Sequence, residues 1–228
     1  MKTRIIALLL LFVITLTACA SSSDLSKSGK EPKDMHRAEE TASGVPDVDI
    51  GEIDGDTYRH VDLGFSVTFP EDWTLGGSQV IMEENGEIQS VDLDRAEVLD
   101  AVKAGQDVSV FTATDANELN SIVNLSVSLN PLPTSDPDSD DFVNRFAPLI
   151  RQEYAAYDSW TLLSCDPYDV DFCGEEHVAL KIAIDGSGEQ RYQTRLYFPC
   201  GALLYTLSVS SGSEDTNTEV LNLFEPLD

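Results

Sequence analysis

Apolar and polar side chains alternate in three consecutive runs in the last part of the chain. Alternation with a period of two residues is typical of β-strands that bury one face. Turn-forming segments separate the runs, at residues 185–188 (Asp-Gly-Ser-Gly) and 199–201 (Pro-Cys-Gly). The pattern predicts an antiparallel meander that follows a strand beginning near Trp160. Its core-facing positions are Val178, Leu180, Ile182 and Ile184, then Tyr192, Thr194, Leu196 and Phe198, then Leu203, Tyr205, Leu207 and Val209.

Shorter segments of the same kind occur earlier in the chain. Residues 58–63 and 65–69 alternate on either side of Gly64, which predicts a first hairpin. A further strand is predicted over residues 108–113. Over residues 123–129, aliphatic side chains alternate with Asn124, Ser126 and Ser128, so that strand is predicted to bury only one of its faces.

Three helices are predicted from capping signals and helical spacing. Asp94 with Glu97 forms a plausible capping box, and Gly105 ends the helix that follows. Thr216 with Glu219 is the corresponding signal for a last helix, ended by Pro226. Between these two, apolar residues recur at helical spacing around Pro148, which is expected to kink the helix or to delay its start. They are Phe142, Phe146, Leu149, Ile150 and Tyr154.

The N-terminal segment is built like a bacterial secretory signal. Lys2 and Arg4 precede an apolar run over residues 5–16, which is too short for a comfortable membrane span. The sequence Leu-Thr-Ala-Cys at residues 16–19 resembles the lipobox of bacterial lipoproteins. That resemblance implies that residues 1–18 are removed and that Cys19 carries the lipid (diacylglycerol and palmitate). The alternative is an ordinary cleaved signal with Cys19 as a chance cysteine.

The charge of the chain limits its partners. Its 41 acidic residues outnumber its 14 basic ones, for a net charge of −27. The charged residues that are lost with the signal are Lys2 and Arg4, so its removal makes the chain more acidic. Such a balance disfavours nucleic acid, because phosphate binding needs clustered cations. Residues 19–56 are rich in polar and charged residues and are interpreted as the lipidated cysteine and a disordered acidic linker, followed by one globular domain over 57–228.

Residues 64–73 have the sequence Gly-Phe-Ser-Val-Thr-Phe-Pro-Glu-Asp-Trp. This sequence resembles the N-terminal motif of PsbP/Mog1-like domains. The later order of long strands, central helix, meander and terminal helix is similar too. The resemblance spans about residues 57–228. It implies an α+β fold with a central antiparallel β-sheet flanked by helices, as an α/β/α sandwich. For function it implies a binding or accessory module at most.

Candidate catalytic residues are few. His60 is expected at the surface or at a strand edge. The densest cluster of metal-ligand types is His177 with Glu175, Glu176, Asp166, Asp169 and Asp171. An exposed acidic turn is the favoured interpretation, so no metal site and no cofactor are expected. The sequence lacks HExxH, GxSxG, Walker and GxGxxG motifs.

Three cysteines remain besides Cys19, so at least one of them is unpaired. Export permits a disulfide bond. Pairing the apolar faces of the two central meander strands brings together residues whose numbers sum to about 374, which places Cys200 opposite Gly174 and next to Cys173. A Cys173–Cys200 bridge is therefore predicted. A Cys165–Cys173 bridge is the second alternative, and three free thiols the third.

Two hypotheses on function follow from the sequence. The first is a lipid-anchored, extracytoplasmic, non-catalytic module that contacts the membrane through its lipid and a protein partner in the cell envelope. The second is a metal-dependent or hydrolytic envelope enzyme that uses His60 or the acidic cluster at 166–177. The first is favoured, because catalysis usually needs groups with opposed pKa values held together in a pocket.

Overall fold

In the computed structural model, the predicted meander is a row of four long antiparallel strands at one end of a large sheet. The structure describes residues 47–84, 87–117, 121–131, 140–156, 159–186 and 188–227. The predicted signal segment, Cys19 and the first part of the linker lie outside these residues. The strands are β1 (Glu52–Asp54), β2 (Thr57–His60), β3 (Phe65–Thr68), β4 (Trp73–Gly76), β5 (Gln79–Glu84), β6 (Glu87–Asp92), β7 (Val108–Asp115), β8 (Ile122–Leu129), β9 (Trp160–Phe172), β10 (Glu175–Gly186), β11 (Glu189–Cys200), β12 (Leu203–Ser211) and β13 (Phe224–Pro226).

The large sheet has the strand order β6-β5-β7-β8-β12-β11-β10-β9, and β4 pairs with β7 beside this path. Neighbouring strands are antiparallel, as the alternation predicts. The register places Leu207 opposite both Leu196 on β11 and Leu125 on β8. Aliphatic side chains from three strands therefore share one face of the sheet, because successive side chains of a strand point to opposite faces.

Four helices pack on this sheet: α1 (Arg95–Lys103), α2 (Asp140–Asn144), α3 (Ala147–Ala155) and α4 (Glu214–Leu221). The capping box of Asp94 and Glu97 is formed as predicted, and Gly105 follows the helix with a positive φ of 84°. Pro148 lies in the first turn of α3, where a proline costs no helical hydrogen bond, and α3 begins only after α2 has ended at Asn144. The prediction for α4 is wrong in position. Its N-cap is Ser213, whose hydroxyl accepts from the Thr216 amide.

The two faces of the large sheet bury separate cores. One core contains β2, β3, β13, α1 and α4, and its largest side chains include Tyr58, Phe65, Phe111 and Tyr205. The other core lies under α2 and α3 and contains Phe142, Ile150, Leu180 and Tyr197, among others. Adjacent residues of β11 divide between the cores, with Leu196 in the first and Tyr197 in the second.

The α+β fold class with an antiparallel sheet flanked by helices is confirmed. The architecture adds a second, four-stranded sheet with the order β1-β2-β3-β13, which shares one face of the large sheet with α1 and α4. Within the described residues, no helix is long and apolar enough to cross a membrane.

The ordered fold begins earlier than the predicted boundary at residue 57. Val48 is fully buried, and Glu52–Asp54 forms β1 against β2. The linker interpretation of residues 47–56 is therefore wrong. These residues lack a sustained apolar period because β1 is short and its side chains are exposed, so the local signal was limited to Val48 and Ile50.

The predicted Cys173–Cys200 bridge is not formed in the structure, where Cys165, Cys173 and Cys200 are free thiols. The pairing of β10 with β11 runs from Leu180–Arg195 to Gly186–Glu189, a register sum of 375 rather than 374. Cys173 lies in the turn between β9 and β10 with φ of 56°. Cys200 is the last residue of β11 and pairs with Leu203. With this register Cys200 is aligned with Glu175, two residues from Cys173, and not with Gly174 as the prediction assumed.

Candidate functional site

One face of β8 and β12 packs into the core that contains Tyr205, and the other face carries small polar side chains. On β8, Asn124, Ser126 and Ser128 alternate with the buried Val123, Leu125 and Val127. On β12, Thr206 and Ser208 alternate in the same way with Tyr205, Leu207 and Val209. Because β8 and β12 are neighbours, these hydroxyl and amide side chains form one continuous polar floor. We call this surface, together with the side chains that enclose it, the α3 cleft.

Helix α3 forms the wall of the α3 cleft. The cleft has a volume of about 580 Å³ and is open to solvent. Its apolar lining comes mainly from the helix and from the ends of strands, and includes Phe146, Leu149, Ile150, Leu129, Pro131 and Leu204. A cleft with an apolar wall and a few convergent polar groups is the usual form of a small-molecule site.

A partly buried ion pair joins the wall to the floor. Arg195 on β11 donates from Nη1 and Nη2 to the two carboxylate oxygens of Glu153 on α3, at 3.3 and 3.2 Å. The two side chains are only 11% and 20% exposed. The Nε of Arg195 donates to Gln193 on the same strand. Burial acts to lower the pKa of Arg195, but the Glu153 carboxylate raises it above its usual value, so the guanidinium stays charged.

Asp107 is the unusual member of the α3 cleft. It precedes β7 and lines the cleft, and its Oδ1 is enclosed without a hydrogen-bond partner among the described residues. Burial raises the pKa of this carboxyl to about 6, against the effects of the Ser126 hydroxyl and of Arg195, and Glu153 raises it further. A carboxyl held in this state in a cleft is a candidate functional group, because it costs stability and serves no packing purpose.

Tyr197 contributes a buried hydroxyl to the same cleft, close to the Arg195 guanidinium. Its ring stacks on Phe146 with centroids 4.3 Å apart, and its hydroxyl is buried. Burial raises the pKa of this phenol above its usual value, so it is neutral at physiological pH. Unpaired buried polar groups cost about 1–3 kcal/mol each. The Asp107 oxygen that lacks a partner therefore indicates a place where a hydrogen-bonding partner is supplied from outside the chain.

His60 lies on the opposite side of the large sheet from the α3 cleft, and the expectation of a surface or strand-edge position is wrong. Its side chain has no exposed surface, and β2 is paired on both sides. Its Nδ1 lies 3.3 Å from Oδ2 of Asp49 and 3.3 Å from the backbone nitrogen of Leu63. Burial lowers the pKa of His60, with a smaller opposing effect from Asp49. A neutral, enclosed imidazole offers no access to a substrate.

Asp49 fastens the first described residues to the domain. Its backbone N–H donates to the hydroxyl of Tyr205 at 3.1 Å, and that hydroxyl donates to the Asp49 carbonyl at 2.9 Å. Its carboxylate accepts from the amides of Gly51 and Asp62. We call residues 47–51 the strap. The strap explains the burial of His60, because it covers the end of β2.

Replacing Tyr205 with Phe removes both hydrogen bonds to the strap and leaves the ring in place. We expect a loss of about 1–3 kcal/mol in the free energy of unfolding. Amide hydrogen exchange at Asp49 should accelerate markedly. Tyr192→Phe is the control, since its hydroxyl bonds only to Gln190 at the surface. Unchanged exchange at Asp49 in Tyr205→Phe would contradict this role.

The acidic cluster predicted at 166–177 is spread along β9 and β10. Asp166 lies opposite Lys181, Asp169 opposite Val178, and Asp171 opposite Glu176. His177 faces the rings of Phe172 and Phe198. Over the described ranges, the structure brings no group of three His, Cys, Asp or Glu side chains into a metal-binding arrangement. The cluster therefore gives no support to a metal-dependent enzyme.

Sequence reasoning did not identify the α3 cleft. The alternation of Asn124, Ser126 and Ser128 with aliphatic residues was visible, but a polar face is ordinarily a solvated one. The cleft exists because α3 crosses that face and brings Glu153 to Arg195, 42 positions apart in the chain. The one local signal that could have pointed to it is the run of small polar side chains on two neighbouring strands, where larger solvated residues are usual.

Comparisons with known proteins give fold-level similarity only. No family model matches the chain, and no curated protein matches it. Cyanobacterial PsbP (CyanoP) from Synechocystis is similar at 16% identity and a TM-score of 0.41, over 77% of this chain and 98% of that one.

Two further solved structures show weaker similarity. LpqN of Mycobacterium tuberculosis, described as involved in cell envelope biogenesis, is 16% identical with a TM-score of 0.30, over 72% of this chain and 83% of that one. A Bacteroides thetaiotaomicron structure is 15% identical with a TM-score of 0.30, and the chain spans 46% of its length. A PsbP protein is among these structures, and similarities at TM-scores of 0.41 and 0.30 carry no conclusion about the family or function of this chain.

Proposed function

We propose that this chain is a lipid-anchored module on the extracytoplasmic face of the cell membrane, and that it binds a ligand in the α3 cleft without catalysing a reaction. The observation that carries the proposal is the cleft itself, with its polar floor, its apolar wall and the buried Asp107 Oδ1, which lacks a hydrogen-bond partner among the described residues. The anchoring rests on the signal segment and on Cys19 in its lipobox-like context. A protein partner in the envelope remains part of the proposal, on the basis of the acidic composition.

Replacing Cys19 with Ala is expected to abolish membrane retention or to block processing of the signal, because the thiol is the lipid acceptor. Fractionation of cells into membrane and soluble pools measures the effect. Replacing Ser21, two residues further on, with Ala is the matched control and should leave retention unchanged. A normally processed Cys19→Ala protein that stays in the membrane would refute the anchor.

Ligand binding in the α3 cleft is tested by filling it. Thr206 lies on the floor, and Thr206→Phe places a ring in the space that a ligand would occupy. We expect compounds that raise the melting temperature of the wild-type chain to have no effect on Thr206→Phe, because bound ligand stabilises only the state that binds it. Thr74→Phe, at an exposed position on β4, is the control and should respond like the wild type.

Two outcomes of this screen would contradict the proposal. One is stabilisation of all three proteins by the same compounds, which would place binding outside the cleft. The other is turnover of an ester, amide or phosphate substrate that Asp107→Asn abolishes. The second candidate function is therefore an enzyme with Asp107 as general base, since a carboxyl with a pKa near 6 is suited to that role. It ranks second because the described lining of the cleft contains no histidine, cysteine or lysine, and the group beside Asp107 is the Ser126 hydroxyl alone among the usual nucleophile types.

A further inference from the structure

We infer that the α3 cleft takes an organic cation with an apolar body, whose charged group lies at Asp107 and whose body lies against α3. The inference rests on the proposed function, since it presumes that the cleft binds a ligand. Three features of the described lining support it: exposed apolar surface, the balance of charge, and the state of the Asp107 carboxyl.

The apolar body is indicated by two exposed leucines. Leu149 on α3 is 39% exposed, and Leu129 at the end of β8 is 40% exposed. Both line the α3 cleft, beside the buried Phe146, Ile150 and Leu204. Large aliphatic side chains at such a mouth gain free energy when an apolar ligand covers them.

The charge of the ligand follows from the charges of the lining. Among the described lining residues, the ionisable groups of formal charge are Asp107, Glu153 and Arg195. Arg195 and Glu153 neutralise each other through two hydrogen bonds, which leaves the carboxyl of Asp107 as the uncompensated group. An anionic ligand would find no unpaired cation in this lining and would approach a chain of net charge −27. A cationic ligand is attracted by the Asp107 carboxylate and by the negative net charge of the chain.

The environment of Asp107 makes the affinity for a cation depend on pH. The groups that face it are the Ser126 hydroxyl on β8, the Arg195 guanidinium on β11 and the Glu153 carboxylate on α3. The pKa of Asp107 is about 6, because burial disfavours the ionised form. A bound cation favours the ionised form, so binding should release a proton and should strengthen as pH rises through 6.

The test uses three probes with the same ring and different heads: cyclohexylammonium, cyclohexanol and cyclohexanecarboxylate. They are titrated by calorimetry into the mature chain, residues 19–228 with Cys19→Ser, so that no lipid or detergent is present. At pH 7.5 we expect cyclohexylammonium to bind about tenfold more tightly than cyclohexanol, and cyclohexanecarboxylate to bind least. Lowering the pH to 5 should weaken cyclohexylammonium binding about tenfold and leave cyclohexanol unchanged.

Asp107→Asn should remove the preference for cyclohexylammonium without changing the affinity for cyclohexanol. The pH dependence of the wild type is a second readout that needs no variant. Equal affinity for cyclohexylammonium and cyclohexanol, or tightest binding of the carboxylate, would overturn the cation assignment. If Thr206→Phe still abolished such binding, the cleft would remain a binding site and only the ligand class would be wrong. Absence of binding by all three probes to the wild type would overturn the inference and, together with a negative cleft screen, the proposed function.

Discussion

Asp107→Asn is expected to raise the free energy of unfolding at pH 7.5 by about 2–3 kcal/mol. The pKa of Asp107 is about 6 in the fold, against 3.8 for a free aspartate, so the ionised form that prevails at pH 7.5 is disfavoured by burial. Asparagine keeps the size of the side chain and can still bond to the Ser126 hydroxyl, but it carries no charge. The stabilisation should appear in urea unfolding as a higher midpoint with an unchanged slope.

The pH dependence of the stability of Asp107→Asn tests the direction in which the pKa of Asp107 is shifted. Because the folded pKa is raised, the folded state binds more protons than the unfolded state between about pH 4 and 6. The contribution of Asp107 to stability is therefore best below pH 4 and is lost as pH rises through 6. The advantage of Asp107→Asn should grow over that window and level off above it.

Asp169→Asn is the control, since it removes an equal charge from an exposed position on β9. It separates the local effect of burial from the general relief of repulsion in an acidic chain. A destabilised Asp107→Asn at pH 7.5, or an advantage no larger than that of Asp169→Asn, would contradict the described environment of Asp107.

Breaking the ion pair between α3 and β11 is expected to be costly. Glu153→Ala leaves the Arg195 guanidinium only 11% exposed and without its carboxylate, for a loss of about 3 kcal/mol in the free energy of unfolding. The double variant Arg195→Met with Glu153→Leu removes both charges and keeps much of the volume. It should be more stable than Glu153→Ala, because an unpaired partly buried charge costs more than no charge.

The exposed pair of Lys181 and Glu214 serves as the comparison. Their side chains are 40% and 47% exposed, so Lys181→Ala should cost less than about 1 kcal/mol. Urea unfolding of the four proteins at pH 7 provides the measurement. If Glu153→Ala were as mild as Lys181→Ala, the pair would not tie α3 to the sheet, and the wall of the cleft would be held by apolar contacts alone.

The strands of this fold were predictable because their signals are local. Alternation over 178–209 gave the meander, and the Asp94–Glu97 capping box gave the start of α1. The hairpin at Gly64 followed from a residue that adopts positive φ, here 71°. Each of these features is decided by residues within a few positions of one another.

The errors concern features that depend on distant contacts. Val48 is buried where distant residues hold the strap: Tyr205 bonds to Asp49, 156 positions away, and Arg95 donates to the Val48 carbonyl. The register behind the Cys173–Cys200 prediction assumed that the apolar positions of β10 and β11 face one core. Leu180 and Leu196 face opposite cores, so the pairing differs by one residue. The N-cap of α4 is Ser213 and not the predicted Thr216. Serine and threonine are both favourable N-cap residues, so the local sequence does not distinguish the two positions.

In the candidate site too, features set by the local sequence were predictable and features set by distant contacts were not. The polar residues of its floor were visible as one side of an alternating pattern, whereas the cleft arises from the crossing of α3. Asp107 lies in the short connection between α1 and β7, and its sequence neighbours do not distinguish it from a solvated aspartate. Its burial is a property of the assembled fold, in which Arg195 and Glu153 are brought to the same place.

The central claim is that the α3 cleft binds a ligand, and its most direct test is the location of chemical-shift changes in the mature chain labelled with ¹⁵N. On addition of cyclohexylammonium at pH 7.5, the account predicts saturable shifts at the amides of Ser126, Ser128, Thr206 and Ser208 and along α3, with none at the strap. Shifts confined to the strap or to the acidic face of β9, or no saturable shifts at the cleft, would contradict it.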